Sequence, residues 1–104
     1  MKYPKDPAPS TLQKYGMDLA SYRAMWREQG GVCGFCGEDT HEKYVMDHQH
    51  VPGWKTMPPE ERRKYVRGII GVAENHWLLS RYMTTARAEM CLNYLRRYDG
   101  RTAE

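Results

Sequence analysis

The sequence predicts a small α+β domain in which a two-stranded hairpin is set among helices. Three observations carry that expectation. The chain has 104 residues, enough for one hydrophobic core and too few for two. Apolar residues recur at helical spacing in two separate stretches, 18–29 and 84–98. Between them lie two short runs that read as strands, 43–47 and 65–70. Three Trp and eight Tyr supply large surfaces to bury, which argues against a disordered chain.

The elements follow in order. Residues 1–10 hold Pro4, Pro7 and Pro9 and read as an extended arm, so the division is an arm at 1–11 and one domain at 12–104. A helical stretch then reaches Tyr15-Gly16. Asp18 is placed to cap a helix running to about Gln29, with Leu19, Tyr22, Met25 and Trp26 on one face. Gly30-Gly31 stops it, and Val32 to Gly37 forms a tight turn between Cys33 and Cys36. After the first strand a loop starts at Val51, and Pro58-Pro59-Glu60-Glu61 suits a short helical turn. The second strand is followed by a helix over about 72–82. Thr84 or Thr85 caps a last helix to about Tyr98, where Asp99-Gly100 ends it. Ala86, Met90, Cys91, Tyr94, Leu95 and Tyr98 form its apolar stripe. Trp26, Phe35, Trp54 and Trp77 are the large side chains available for packing.

Several classes are excluded. No apolar run approaches the roughly 20 residues that span a bilayer, so no membrane partner is expected. The polar, Pro-rich start has no secretory core. Three Cys is an odd count and does not suggest a disulfide framework. A reducing, cytoplasmic setting is expected. The net charge is only +3, but it is unevenly placed. Residues 54–67 carry Lys55, Arg62, Arg63, Lys64 and Arg67 against Glu60 and Glu61. Residues 81–101 carry Arg81, Arg87, Arg96, Arg97 and Arg101 against Glu89 and Asp99. Such patches attract phosphate backbones, or form solvated faces with local ion pairs.

The segment richest in chemistry is Met46-Asp47-His48-Gln49-His50. In an extended chain Asp47 and Gln49 fall on one side, His48 and His50 on the other. Asp offers a hard oxygen to Mg²⁺ or Mn²⁺. A neutral His takes a proton from water near neutral pH. The pair suits phosphodiester hydrolysis, and it equally describes a polar turn with surface histidines.

What flanks the segment resembles a known family. Gln29-Gly30-Gly31 and Cys33-x-x-Cys36 precede it; Arg67-Gly68-Ile69-Ile70 and then Glu74-Asn75 follow it. This order is similar to the endonuclease VII branch of the HNH (ββα-metal) nucleases. Tyr15-Gly16 and Tyr22 resemble the family's leading helix, and Cys91-Leu92-Asn93-Tyr94-Leu95 its closing helix. The resemblance covers roughly 12–98. It implies a ββα-metal hairpin and helix, flanked by an N-terminal and a C-terminal helix. It implies a metal-dependent endonuclease of DNA, of phage type and acting in the host cytoplasm, with branched DNA such as a Holliday junction as substrate. It also implies a homodimer. Asp47 and Asn75 would hold Mg²⁺ or Mn²⁺, His48 would be the general base, and His50 and Asn75 would complete the catalytic set.

The chain departs from the family's pattern in three places. The second Cys pair should stand immediately before Asn75, but those places hold Gly71 and Glu74. Cys33 and Cys36 alone are half of a four-ligand zinc site. Glu74, His76 or His41 are the residues available to finish it, none at the family's spacing. Two buried thiols in a turn are therefore expected in preference to zinc, with Cys91 in the core. Secondly, residues 51–66 form a long insert bearing Trp54, Lys55, Arg62, Arg63 and Lys64. This loop either contacts DNA or caps the core with its Trp. Arg67 beside it either clamps phosphate or pairs with a carboxylate. Thirdly, Leu78 stands where an acidic residue is common. Three other readings remain: a nicking enzyme of ordinary duplex, a non-catalytic DNA-binding module on the same scaffold, and a zinc-knuckle module that binds another protein through Cys33 and Cys36.

Overall fold

Residues 3–80 and 82–102 are described in the computed structural model, with side chains to residue 99. Arg81 and the side chain of Arg101, both counted in the basic stretches, lie outside that set. The order is α1 (Pro9–Lys14), α2 (Leu19–Glu28), β1 (Tyr44–His48), α3 (Pro59–Arg62), β2 (Val66–Gly71), a π-helical turn (Glu74–Leu78) and α4 (Thr85–Thr102). Single 3-10 turns sit at Trp54–Thr56 and Arg63–Tyr65. This is the expected mixed architecture.

The first two helices end by the same device. Past α1, the Gly16 amide bonds to the Gln13 carbonyl and the Met17 amide to Leu12, with Gly16 at φ +65°. That left-handed residue satisfies carbonyls the helix leaves over, and it brings Leu12 and Met17 into the core together. A Cβ on Gly16 would strike the Pro59 carbonyl, so glycine also lets α1 lie close to α3. Asp18 caps α2 as expected, accepting from the Ser21 amide at 2.7 Å. Gly30 and Gly31 close α2 with bonds to Arg27 and Trp26.

The core is small and aromatic. Leu12, Met17, Tyr22, Trp26, Met46 and Ile69 form it, with Tyr15, Leu19, Met25, Tyr44 and Val66 packed around them. Burial pushes the Tyr22 hydroxyl up to about 12, helped by the nearby Asp6 carboxylate. The extended arm lies along α2, where Arg23 pairs with Asp6 at 2.8 Å and Arg27 meets the Tyr3 hydroxyl.

β1 and β2 pair antiparallel, with Met46 opposite Ile69 and Asp47 opposite Gly68. The next partner of His48 is Val66, so Arg67 is the extra residue of a bulge. On the far side of β2, no third strand lies at Ile69 among the described residues. The Gln29 carboxamide stands there instead, accepting from the Ile69 amide at 2.8 Å and donating to the Ile69 carbonyl at 2.9 Å.

Four expectations change. Helix α1 begins at Pro9, inside the segment read as arm. The helix expected over 72–82 is a shorter stretch: its Glu74 carbonyl accepts from the Leu79 amide five residues on, a widened turn that stops at Leu78. Trp77 is consequently exposed; Phe35, in the Cys33–Gly37 turn, is exposed as well, and neither they nor Cys91 pack in the core. Finally, α4 is capped by the Thr84 hydroxyl, as foreseen, but runs past Gly100 to Thr102. Its apolar residues Met90, Leu92, Tyr94, Leu95 and Tyr98 face outward. Among the described residues, no helix is long and apolar enough to cross a membrane.

Candidate functional site

Chemistry-bearing residues collect at both ends of the hairpin. At one end β1 finishes on Asp47-His48. Asp47 is only 3% exposed. Arg67 reaches it from the bulge, Nε to Oδ2 at 2.6 Å and an NH2 group to Oδ1 at 2.9 Å. Of the two roles open to Arg67, the structure therefore shows the carboxylate pair.

The His48 imidazole stacks on the Trp54 indole, 4.0 Å between centroids and 10° between planes. The His50 ring is 4.7 Å away, and Tyr15 touches both His48 and Trp54. Burial against these rings lowers the affinity of His48 for a proton. Electrostatic interactions with His50, Lys14 and Arg67 act in the same direction, and Asp47 opposes them. His48 is thus held below its ordinary value of 6.5. The two histidines open onto a shallow cleft whose rim carries Lys55 and Gly53.

Trp54 neither lies free on a surface loop nor caps the main core. It is the platform under His48. Arg62 fixes that platform by donating to the carbonyls of Trp54, Lys55 and Lys14 at 3.2, 2.8 and 3.3 Å. Its guanidinium also lies over the Trp54 ring. Arg62, expected as a DNA contact, is thereby a brace of the loop. Lys55 and Lys64 are exposed and Arg63 is half-buried. Asn75 is half-buried in the π turn and opens onto a groove shared with Tyr15, Tyr44 and Met46.

At the other end, β2 finishes on Gly71 and the turn begins at Glu74. Cys33 is buried and Cys36 is exposed, so the two thiols are not both core residues. Cys33 Sγ lies 3.1 Å from Glu74 Oε2, Cys36 Sγ 3.1 Å from His41 Nε2, and His41 Nε2 3.0 Å from Glu74 Oε1. The donor atoms of these four residues all fall within 4.8 Å of one another, a grouping able to hold a metal ion. Burial raises the Cys36 thiol to about 11, and the neighbouring Glu74 and Cys33 add to the shift. Burial also works to raise Glu74. The two thiols, His41 and the Gly71 amide outweigh it and hold the carboxyl below its ordinary value.

His41, which the sequence offered only as one of three residues able to finish a zinc site, is the one that joins Glu74 beside the cysteines. It sits in a polar loop with no local pattern, and only the fold delivers it to the cysteines. The available signal was indirect: a glycine at 71, where the family's pattern has a cysteine. His76 is exposed and lies outside this cluster.

No curated protein and no solved structure matches the chain. The family model of recombination endonuclease VII matches residues 9–97, from the start of α1 into α4. By that match over most of its length, the chain belongs to the recombination endonuclease VII family.

Proposed function

We propose that the protein is a divalent-metal-dependent DNA endonuclease acting on branched DNA, and that the Asp47–His48 end of the hairpin is its catalytic centre. The observation that carries this is the His48 imidazole, held flat on Trp54 and kept neutral beside a buried carboxylate. A neutral, oriented imidazole is what a general base requires. His48 takes the proton of the attacking water on a ring nitrogen, and His50 faces the phosphate from the same cleft.

The oxygens of Asp47 and the amide oxygen of Asn75 suit Mg²⁺ or Mn²⁺, which favour hard donors. Such an ion supplies neutralisation of charge on the phosphate and leaving oxygen. Arg67 already occupies both Asp47 oxygens, so an ion at Asp47 would require this half-exposed guanidinium to give up that pair. Lys55, Arg63 and Lys64 offer further backbone contacts. The outward apolar stripe of α4 is the surface by which two copies would pair, giving two centres for two strands of a junction.

The test is cleavage of three end-labelled substrates: a four-way junction, a linear duplex and a single strand. Each is run with Mg²⁺, Mn²⁺ or EDTA. Metal-dependent cutting of the junction is expected, reduced about a hundredfold or more in His48→Ala. Preferential nicking of the duplex would replace branched DNA as the substrate. Binding without cutting under either metal would overturn the catalytic assignment.

A further inference from the structure

The four-residue cluster at the Gly71 end raises a question about its glycine. Gly71 has no positive φ, so the backbone does not require glycine there. A Cβ built on it would lie 2.6 Å from Nδ1 of His41 and 2.7–2.8 Å from two ring carbons. The imidazole therefore fills the space that a side chain at 71 would take. It sits there with Nε2 turned to Cys36 and Glu74. Tyr44 holds it from behind, its ring edge-on to the imidazole and its hydroxyl accepting from the His41 amide at 3.2 Å.

We propose that the cluster is a structural zinc site of composition Cys33, Cys36, His41 and Glu74, in which His41 supplies the ligand that residue 71 lacks. Gly71 and His41 act as a pair: the missing side chain makes room for the imported one. The donor set is two soft sulfurs, one imidazole and one carboxylate, which zinc accepts. The spacing also fits. A tetrahedron with bonds of roughly 2.0–2.3 Å has edges of about 3.3–3.8 Å. The three contacts given above are 3.0–3.1 Å, and no donor pair exceeds 4.8 Å. The surrounding backbone points the same way. The Phe35 amide donates to Cys33 Sγ at 3.4 Å and the Gly71 amide to Glu74 Oε2 at 3.3 Å, which orients both ligands. The ion would join the Cys33–Gly37 turn, the loop before β1 and the turn that carries Asn75. Its role is separate from hydrolysis, so its test does not depend on finding a substrate.

The 104-residue chain is loaded with zinc, freed of excess ion by gel filtration and assayed for metal by mass spectrometry. One zinc per chain is expected. Cobalt in its place should give visible bands of tetrahedral intensity and a thiolate charge-transfer band in the near ultraviolet. Against a competing chelator, His41→Ala and Gly71→Ala should each weaken retention by at least about tenfold. Gly71→Cys in the His41→Ala background should regain it. A wild-type chain that retains no zinc, or shows no thiolate–cobalt band, overturns the proposal without reference to any variant. Zinc held as tightly by Gly71→Ala as by wild type overturns the pairing of Gly71 with His41.

Discussion

Arg67 grips both carboxylate oxygens of Asp47 from the one residue that breaks the register of the hairpin. The bulge and the ion pair explain each other. An unbroken ladder would set residues 67 and 69 on one face, because side chains alternate, and Ile69 is in the core. The extra residue turns Arg67 out of that alternation and onto Asp47.

Removing the guanidinium leaves a nearly inaccessible carboxylate without its donors. Arg67→Met is expected to lower stability by about 1–3 kcal/mol, the cost of an unsatisfied buried group. Arg67→Lys restores charge but not the two-pronged geometry and recovers only part of the loss. Urea unfolding of the three proteins measures this; equal midpoints would show that the pair contributes nothing.

With His48 as the proposed general base, its state sets the pH dependence of cleavage. Its proton affinity is lowered, so the neutral form survives below pH 6.5. Activity that needs a neutral base rises with pH through the lowered value and is already level at neutral pH. The acid limb of kcat/KM should therefore fall below pH 6.5. Opening the stack with Trp54→Ala reduces the burial and should move that limb upward. A limb above 6.5 in the wild type contradicts this picture.

Two kinds of basic residue share the insert, and they should fail differently. Lys55→Ala and Lys64→Ala remove exposed charges, so DNA affinity should drop with a shallower salt dependence, by about one unit of slope for each phosphate contact. Arg62→Ala releases the carbonyls of Trp54, Lys55 and Lys14. It should lower kcat and thermal stability and leave the salt slope nearly unchanged. Fluorescence titrations at several salt concentrations separate the two.

Gln29→Ala strips both backbone groups of Ile69 of their side-chain partner. A loss of about 1–3 kcal/mol is expected, chiefly from the Ile69 amide, because the Ile69 carbonyl still accepts from the Gly34 amide at 2.9 Å. Hydrogen exchange at the Ile69 amide reports it directly: exchange in Gln29→Ala should be much faster than in the wild type.

Much of this was readable from residues alone. Asp18, Gly30-Gly31 and the 3.6-residue stripe defined α2 because caps and periodicity act locally. Thr84 and the strand pair were legible for the same reason. The order Asp47-His48, Arg67, Asn75 carried the family resemblance, which the family match supports. What stayed hidden depends on contacts distant in sequence. The bulge at Arg67 has no residue signature. Trp54 looked like a surface aromatic until Arg62 and His48 bracketed it. The π turn replaced a longer helix, and with it Trp77 left the core. His41 reaches Cys36 through a vacancy at residue 71, and a vacancy leaves no mark on hydropathy.

The Gln29 carboxamide has one more effect. A sheet of two strands presents raw hydrogen-bonding borders, which recruit stray strands and seed fibrillar association. At Ile69, the most deeply buried point of β2, that border is already capped by a side chain imitating a peptide group. No incoming strand can zip past that position without first evicting Gln29, so the hairpin resists growing into a larger sheet even though it is one of the smallest that a fold can have.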